Sequence, residues 1–176
     1  MNGWTSPEGI LYIKETLCTL LPWPNGPHNW QVNSTANILE GNNQLVIAAC
    51  SEGKIAVAYL HLILISHLSK KPPRSLPSFV RSIQSTTVVL MIIPLIDVGL
   101  CQVEEMSRMG VRVVSLDKET VREAADFCEA YGQINCTIAC IPVGIPVLVM
   151  SRTLGSEAET SLTKFLGFHD GTYQMI

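Results

Sequence analysis

The sequence predicts an α/β fold with a mainly parallel sheet, and three observations lead to that class. The chain of 176 residues is long enough to bury one substantial hydrophobic core. Apolar residues make up 47% of it and charged residues only 15%, which is typical of strands that are buried on both faces. Short apolar runs alternate with stretches of helical periodicity, and this order favours parallel strands connected by helices.

The first part of the chain is predicted to form two helices, a strand and a third helix. Ser6 and Pro7 suit the cap and the first turn of a helix that ends at Pro22. Gly41 marks the end of the second helix. The elements that follow the first helix are a helix over residues 30–39, a strand over 45–49, a helix over 53–68 and a basic, proline-rich connector over 70–77.

The second part of the chain continues the alternation of strands and helices. Its predicted strands are residues 86–93, 111–116 and 145–151, and its predicted helices are residues 97–109, 118–131 and 156–165. The apolar side of the helix over 97–109 includes Val98, Cys101 and Met106, and Gly110 suits its C-terminal cap. A polar tail is predicted after the last helix, beginning near His169.

Charge, cysteine content and hydropathy narrow the classes of function. The net charge of −3 gives no overall basic field for nucleic acid or acidic membranes, although a local patch could still bind them. The six cysteines show no paired CxxC spacing and are predicted to be reduced core thiols. The apolar stretch over residues 55–68 is too short to span a bilayer core of about 30 Å, and no signal peptide is apparent. We therefore expect an intracellular protein without a membrane partner.

The segment that follows the first predicted strand carries the clearest functional pattern. Residues 48–55 read Ala-Ala-Cys-Ser-Glu-Gly-Lys-Ile and connect that strand to a helix. In this arrangement backbone N–H groups and the positive end of the helix can hold a phosphate. The pair Gly53-Lys54 is common in proteins, so an ordinary turn with a solvated lysine is the alternative interpretation.

Two further segments match a known pattern in the same order. Trp30-Gln31 and residues 37–42 resemble an adenine-reading glutamine motif, and the loop shares Ala48, Gly53 and Lys54 with the pattern A-x-T-G-x-G-K-T. Over residues 30–166 the chain thus resembles the N-terminal RecA-like lobe of RecQ-type helicases, particularly divergent fungal ones. These are ATP-dependent 3′-5′ DNA helicases of the DEAD/DEAH-like superfamily 2.

The resemblance implies a fold and a domain organisation. The fold would be a three-layer P-loop NTPase domain with a mainly parallel sheet, incomplete in this chain. Residues 30–176 would form this partial ATP-binding domain, and residues 1–29 would form an N-terminal helix and a proline-rich loop.

The resemblance also implies an ATP site on the loop. Gln31 would hydrogen-bond the adenine edge, and Lys54 would reach the terminal phosphates as a point charge. Ser51 replaces a glycine, which costs on the order of 1–2 kcal/mol if the loop demands a positive φ there. Ile55 stands where a threonine hydroxyl would bind Mg²⁺, so we expect weak ATP binding and argue against magnesium-dependent hydrolysis. The implied cofactor-binding residues are Gln31, Cys50, Ser51, Glu52, Gly53, Lys54 and Ile55.

A nucleic-acid site is implied by two other segments. Residues 93–106 resemble the helicase motif in which a proline-leucine strand end and the start of the next helix touch the DNA backbone. Residues 147–154 resemble the strand that ends in a serine-proline-glutamate motif. The implied DNA-contacting residues are Pro94, Leu95, Asp97, Gln102 and Ser151. DNA as the partner and a nuclear location follow from the same resemblance.

Two parts of the helicase machinery do not appear in the sequence. After residue 166 the family continues into a strand ending in Asp-Glu-Ala-His and then into a second lobe that supplies an arginine finger. We expect a truncated lobe with no catalytic residues and no autonomous unwinding. Loss of that strand would expose apolar sheet edges beside the phosphate-loop strand and favour self-association. The alternatives are a catalytically dead remnant that acts as a non-enzymatic interaction module and an unrelated doubly wound protein that binds a mononucleotide.

Overall fold

The described residues form helices and a small parallel sheet. A computed structural model describes residues 3–48, 52–72, 76–80, 96–113, 146–151 and 173–175. At residues 96–100, 151 and 173–175 it describes the backbone alone. Its elements are α1 (Pro7–Leu20), α2 (Asn29–Glu40), β1 (Asn43–Ile47), a 3₁₀ turn (Lys54–Ala56), α3 (Val57–Leu68), α4 (Ile96–Arg108), β2 (Leu148–Ser151) and β3 (Tyr173–Met175).

The ends of α1 and α2 are fixed by side-chain and backbone caps. Ser6 Oγ accepts a hydrogen bond from the N–H of Gly9 at 3.1 Å, as expected for an N-cap. Gly41 adopts the left-handed conformation with φ 88°, and the N–H of Asn42 donates to Asn37 O at 2.9 Å. The predicted start of α1 and end of α2 are confirmed.

The central segment also follows the prediction. β1 begins two residues before the predicted strand, and the 3₁₀ turn leads directly into α3. α4 covers nearly the predicted range, and Gly110, with φ 77°, closes its C-terminal end. The predicted strand over 145–151 is confirmed as β2, which is shorter at its start.

One hydrophobic core joins the four helices that the structure describes. Its buried members are Ile13, Leu17, Leu21, Val32, Ala36, Ala56, Tyr59, Leu60, Leu64, Leu68 and Met106. Phe79 is also buried and meets the rings of Trp4 and Tyr12 edge-on, with centroids 5.3 and 5.9 Å away. The N-terminal helix α1 therefore packs into the same core as α2 and α3.

The described strands form a parallel sheet in the order β2-β1-β3. β1 pairs with β2 from Gln44 opposite Leu148 to Ile47 opposite Ser151. On its other side, β1 pairs with β3 from Asn43 opposite Tyr173 onward. This pairing covers residues 43–45 of the β1 edge that was expected to be open. The polar tail predicted near His169 lies outside the described residues.

Some predicted elements lie outside the described residues. These are the strand over 86–93 and the helices over 118–131 and 156–165. Residues 111–113, the start of the predicted strand over 111–116, lie in no strand, and the remainder falls outside the described part.

Two described cysteines differ from the prediction of core thiols. Cys18 and Cys101 are free and exposed. On α4 the side that faces the core carries Met106, whereas Cys101 faces solvent. Hydropathy alone does not place a cysteine, since its side chain is small and weakly polar.

Within the described ranges, no helix has the length and apolar character needed to cross a membrane.

Candidate phosphate-binding site

The loop between β1 and α3 carries the residues predicted to bind a phosphate. It leaves β1 at Ile47 and reaches the 3₁₀ turn through Glu52 and Gly53, whereas Cys50 and Ser51 lie outside the described residues. Gly53 is left-handed, with φ 69° and ψ 36°. A Cβ at this position would also lie only 2.9 Å from Gln31 Nε2. Glycine is therefore required by backbone conformation and by the close approach of a side chain.

Lys54 brings a positive charge to the carboxyl end of the central strand. Its Nζ donates a hydrogen bond to Ala48 O at 2.5 Å, so the side chain reaches back across the loop. The residue is half-buried and stands at the entrance to α3, whose first turn carries no acidic residue. The ammonium and the N-terminal end of the helix both place positive charge here, whereas Glu52 adds a negative charge to the same loop.

Gln31 touches the loop, but its amide faces the loop backbone. Its Oε1 accepts from the N–H of His28 at 2.8 Å. Its Nε2 donates to Gly53 O at 3.0 Å and lies 3.5 Å from Glu52 O. The side chain is only 2% exposed. Gln31 therefore connects the start of α2 to the phosphate loop through both ends of one amide.

Ile55 has a packing role at the position where the helicase pattern places a hydroxyl. Its side chain is half-buried and packs against the hydrophobic core. It offers methyl groups where Mg²⁺ would need an oxygen ligand. The described residues of the loop thus suit a phosphate, through Gly53 and Lys54, and do not suit magnesium coordination at residue 55.

The residues predicted to contact DNA are only partly described. Pro94 and Leu95 lie outside the described residues, and the backbone places Asp97 in the first turn of α4. Ser151 ends β2 directly beside Ile47, so the ends of β2 and β1 meet at the same edge of the sheet as the phosphate loop. Gln102 is only 9% exposed, and its Oε1 has no hydrogen-bond partner among the described residues. Its side chain faces the protein rather than solvent.

A hydrogen bond between α3 and α4 was not predicted from the sequence. Tyr59 Oη donates to Glu105 Oε1 at 2.7 Å. Burial raises the pKa of the Tyr59 phenol, and the neighbouring Glu105 carboxylate raises it further. The phenol therefore stays protonated and keeps donating at neutral pH. The pair is separated by 46 residues in sequence, so no local pattern could reveal it.

Comparisons with known proteins do not add a relative. No protein-family model, no curated protein and no solved structure matches this chain. The geometry of the loop and the resemblance of its flanking segments are therefore the basis for proposing a function.

Proposed function

We propose that this chain is a partial ATP-binding lobe similar to that of RecQ-type DNA helicases, which binds nucleoside triphosphate weakly and does not unwind DNA by itself. The observation that carries the proposal is the position of Lys54, whose ammonium crosses the loop to Ala48 O at the entrance to α3. A left-handed glycine comes directly before it. A terminal phosphate could replace the Ala48 carbonyl as one partner of this ammonium.

The chemistry that this loop supports is binding rather than hydrolysis. Phosphoryl transfer needs groups that hold Mg²⁺ and orient the attacking water. Ile55 supplies a packed aliphatic side chain at the position where a hydroxyl would serve the metal. We assign no catalytic residue to the chain, and Mg²⁺ is not part of the proposed complex.

DNA remains a proposed partner, with its contacts at the ends of two elements. Ser151 ends β2 beside the phosphate-loop strand, and Asp97 lies in the first turn of α4. A strand end and a helix start both present backbone N–H groups, which can hold a nucleic-acid phosphate. Burial of Gln102 moves the proposed contact away from that side chain. A nuclear location follows only if DNA is the partner.

Calorimetric titration with ATP tests the phosphate site. We expect Lys54→Ala to weaken binding by about tenfold or more, because a charge-assisted hydrogen bond contributes roughly 1.5–3 kcal/mol. Lys70→Ala is the matched control, because this exposed lysine lies just beyond the opposite end of α3. Equal heats and affinities for the intact chain and Lys54→Ala would remove the site from consideration.

A non-enzymatic interaction module is the second candidate. The packing of Ile55 against the core favours this candidate, because the side chain stabilises the fold and offers no ligand for a metal. Under this proposal the chain folds cooperatively, binds no triphosphate and keeps the α/β scaffold. ATP hydrolysis that is stimulated by DNA and lost on Lys54→Ala would reject it.

A further inference from the structure

The amide of Gln31 is occupied at both ends by the protein, and this has a consequence for the ligand of the loop. We propose that the site binds the phosphates of a nucleoside triphosphate without selecting the base, and that Gln31 is a positioning residue for the loop. The inference rests on the proposed function, because it concerns the same phosphate loop. It differs from the adenine-reading role that the resemblance implies for Gln31.

The first reason is the geometry of the amide. To read adenine, a glutamine must present its Oε1 and Nε2 together to the edge of the base. Here Oε1 accepts from the N–H of His28 at 2.8 Å, and Nε2 donates to Gly53 O at 3.0 Å. The two groups point to opposite protein segments, and only 2% of the residue is exposed. No edge of the amide is presented to a ligand.

The second reason is the exchange that base reading would require. If Gln31 turned towards a base, the N–H of His28 and the carbonyl of Gly53 would each lose a partner. The carbonyl of Gly53 would keep the hydrogen bond from the N–H of Ala56 at 3.1 Å, but the N–H of His28 would be left unpaired, at a desolvation cost comparable to a hydrogen bond. This cost offsets the free energy gained from hydrogen bonds to adenine, so the site would discriminate little between bases.

The third reason is that the observed contacts give Gln31 a different role. Its Nε2 donates to the carbonyl of the left-handed Gly53, the residue directly before Lys54. It thereby holds the backbone at the point where the chain turns into α3. Removing this contact should affect every ligand that uses the loop and Lys54, whatever base the ligand carries.

Competitive and direct titrations with ATP, GTP and inorganic triphosphate test the inference. An amide that reads a base edge through two hydrogen bonds separates bases by roughly five- to 150-fold. We expect instead that ATP and GTP bind the intact chain within about threefold of each other, far below that range. We also expect inorganic triphosphate to displace both nucleotides.

The variant Gln31→Met separates the two roles of the side chain. It keeps a similar side-chain volume but removes both hydrogen bonds. We expect it to weaken the binding of ATP and of GTP by the same factor, about threefold or more. Gln44→Met is the matched control, because Gln44 is also a buried glutamine and its Nε2 donates to Ser34 O at 2.8 Å, away from the loop. We expect its ATP-to-GTP ratio and its affinities to stay close to those of the intact chain.

Each outcome has a distinct meaning. ATP preferred over GTP by more than about tenfold, with the preference lost in Gln31→Met, would overturn the inference and leave the proposed function standing. Absence of binding by all three triphosphates would overturn the proposed function and the inference together. If Gln31→Met does not fold, the ratio of ATP to GTP affinity in the intact chain still decides the question.

Discussion

His61 is the more deeply buried of the two histidines of α3. It is 5% exposed, and its Nδ1 lies 3.4 Å from Val57 O. Burial lowers the pKa of His61 from its usual 6.5 to about 4, although the contact with Val57 acts in the opposite direction. The ring is therefore neutral in the folded chain across the range where an unfolded histidine becomes charged.

This lowered pKa predicts loss of stability in mild acid. Above about pH 6.5 the ring is neutral in both states, and its contribution to stability is fully present. As the pH falls towards about 4, the unfolded chain binds a proton that the folded chain does not. The free energy of unfolding should then fall by at most about 1.4 kcal/mol per pH unit from this group.

Urea unfolding of the intact chain and of His61→Gln at several pH values measures this contribution. We expect His61→Gln to flatten the dependence between about pH 4 and 6.5. His67→Gln is the control and should change the profile less, because the ring of His67 is only half-buried. The pKa of His67 is lowered first by burial and then by the charges of Lys71 and Lys70. Identical profiles for the intact chain and His61→Gln would contradict the prediction.

Tyr59 and Tyr12 offer a matched pair of hydroxyl deletions. Tyr59→Phe removes a bond to the Glu105 carboxylate and should lower the free energy of unfolding by roughly 1–2 kcal/mol. Tyr12→Phe should be neutral or slightly stabilising, because the buried Tyr12 hydroxyl has no hydrogen-bond partner among the described residues. Denaturant titration of both variants checks the signs. If both variants lost the same free energy of unfolding, the hydrogen bond between α3 and α4 would have no special role in stability.

Individual side-chain roles were the part least accessible from sequence. The sequence placed Gln31 beside the loop only by resemblance, and its bonds to His28 and Gly53 depend on two backbone segments that are far apart in the chain. The exposure of Cys101 depends on which side of α4 faces the core. Such details follow from packing in three dimensions, which a linear pattern does not contain.

Among the secondary-structure elements, those with local stop signals were predicted well. α1 has its serine cap, and α2 and α4 end at the positive-φ glycines Gly41 and Gly110. Each signal acts within about one helical turn, so it can be read without knowing the fold. The strand β1 and the start of α3 follow from an apolar run and a Gly-Lys turn in the same way.

The turn into α3 gives a prediction with a built-in comparison. Gly53 and Gly41 both have positive φ, but an added Cβ would meet Gln31 Nε2 at 2.9 Å at Gly53 and would meet nothing within 4 Å at Gly41. Gly41→Ala should lower the free energy of unfolding by about 1–2 kcal/mol from backbone strain alone. Gly53→Ala should cost more and should also weaken triphosphate binding.

Thermal or urea unfolding and a calorimetric titration of both alanine variants make this comparison. The distinguishing result is the affinity for ATP, which we expect to change only in Gly53→Ala. If both variants lost the same stability and neither changed affinity, the contact between Gly53 and Gln31 would have no role in shaping the loop.

At the level of the whole molecule, the sheet depends on pairing between distant segments. β2 lies about 100 residues after β1 along the chain, and β3 lies still further on. The sequence predicted β2 from its apolar run, but the three residues of β3 are too few to show strand periodicity. The pairing of β3 with β1 therefore could not be foreseen, and neither could its coverage of the β1 edge at residues 43–45.

A proline in β3 tests what this pairing does for the molecule. Gln174 lies opposite Gln44 in the parallel register. Gln174→Pro removes a backbone N–H and restricts the strand, so it should lower stability and uncover one edge of β1. At the same protein concentration, we expect sedimentation velocity to show more self-association for the variant than for the intact chain.

Gln174→Thr is the control for this experiment, because threonine keeps the N–H and favours strands. It should sediment like the intact chain. If Gln174→Pro sedimented and melted like Gln174→Thr, the β3–β1 pairing would contribute nothing to solubility.

The central position of β1 also bears on how the chain acquires its fold during synthesis. Helices α1, α2 and α3 contact one another locally in sequence and can assemble early, whereas β1 must wait for partners about 100 residues downstream. At typical synthesis rates of about 5–20 residues per second, that wait lasts on the order of ten seconds. Until then β1 has two open edges, and unpaired strand edges of this kind favour the aggregation that chaperones counteract.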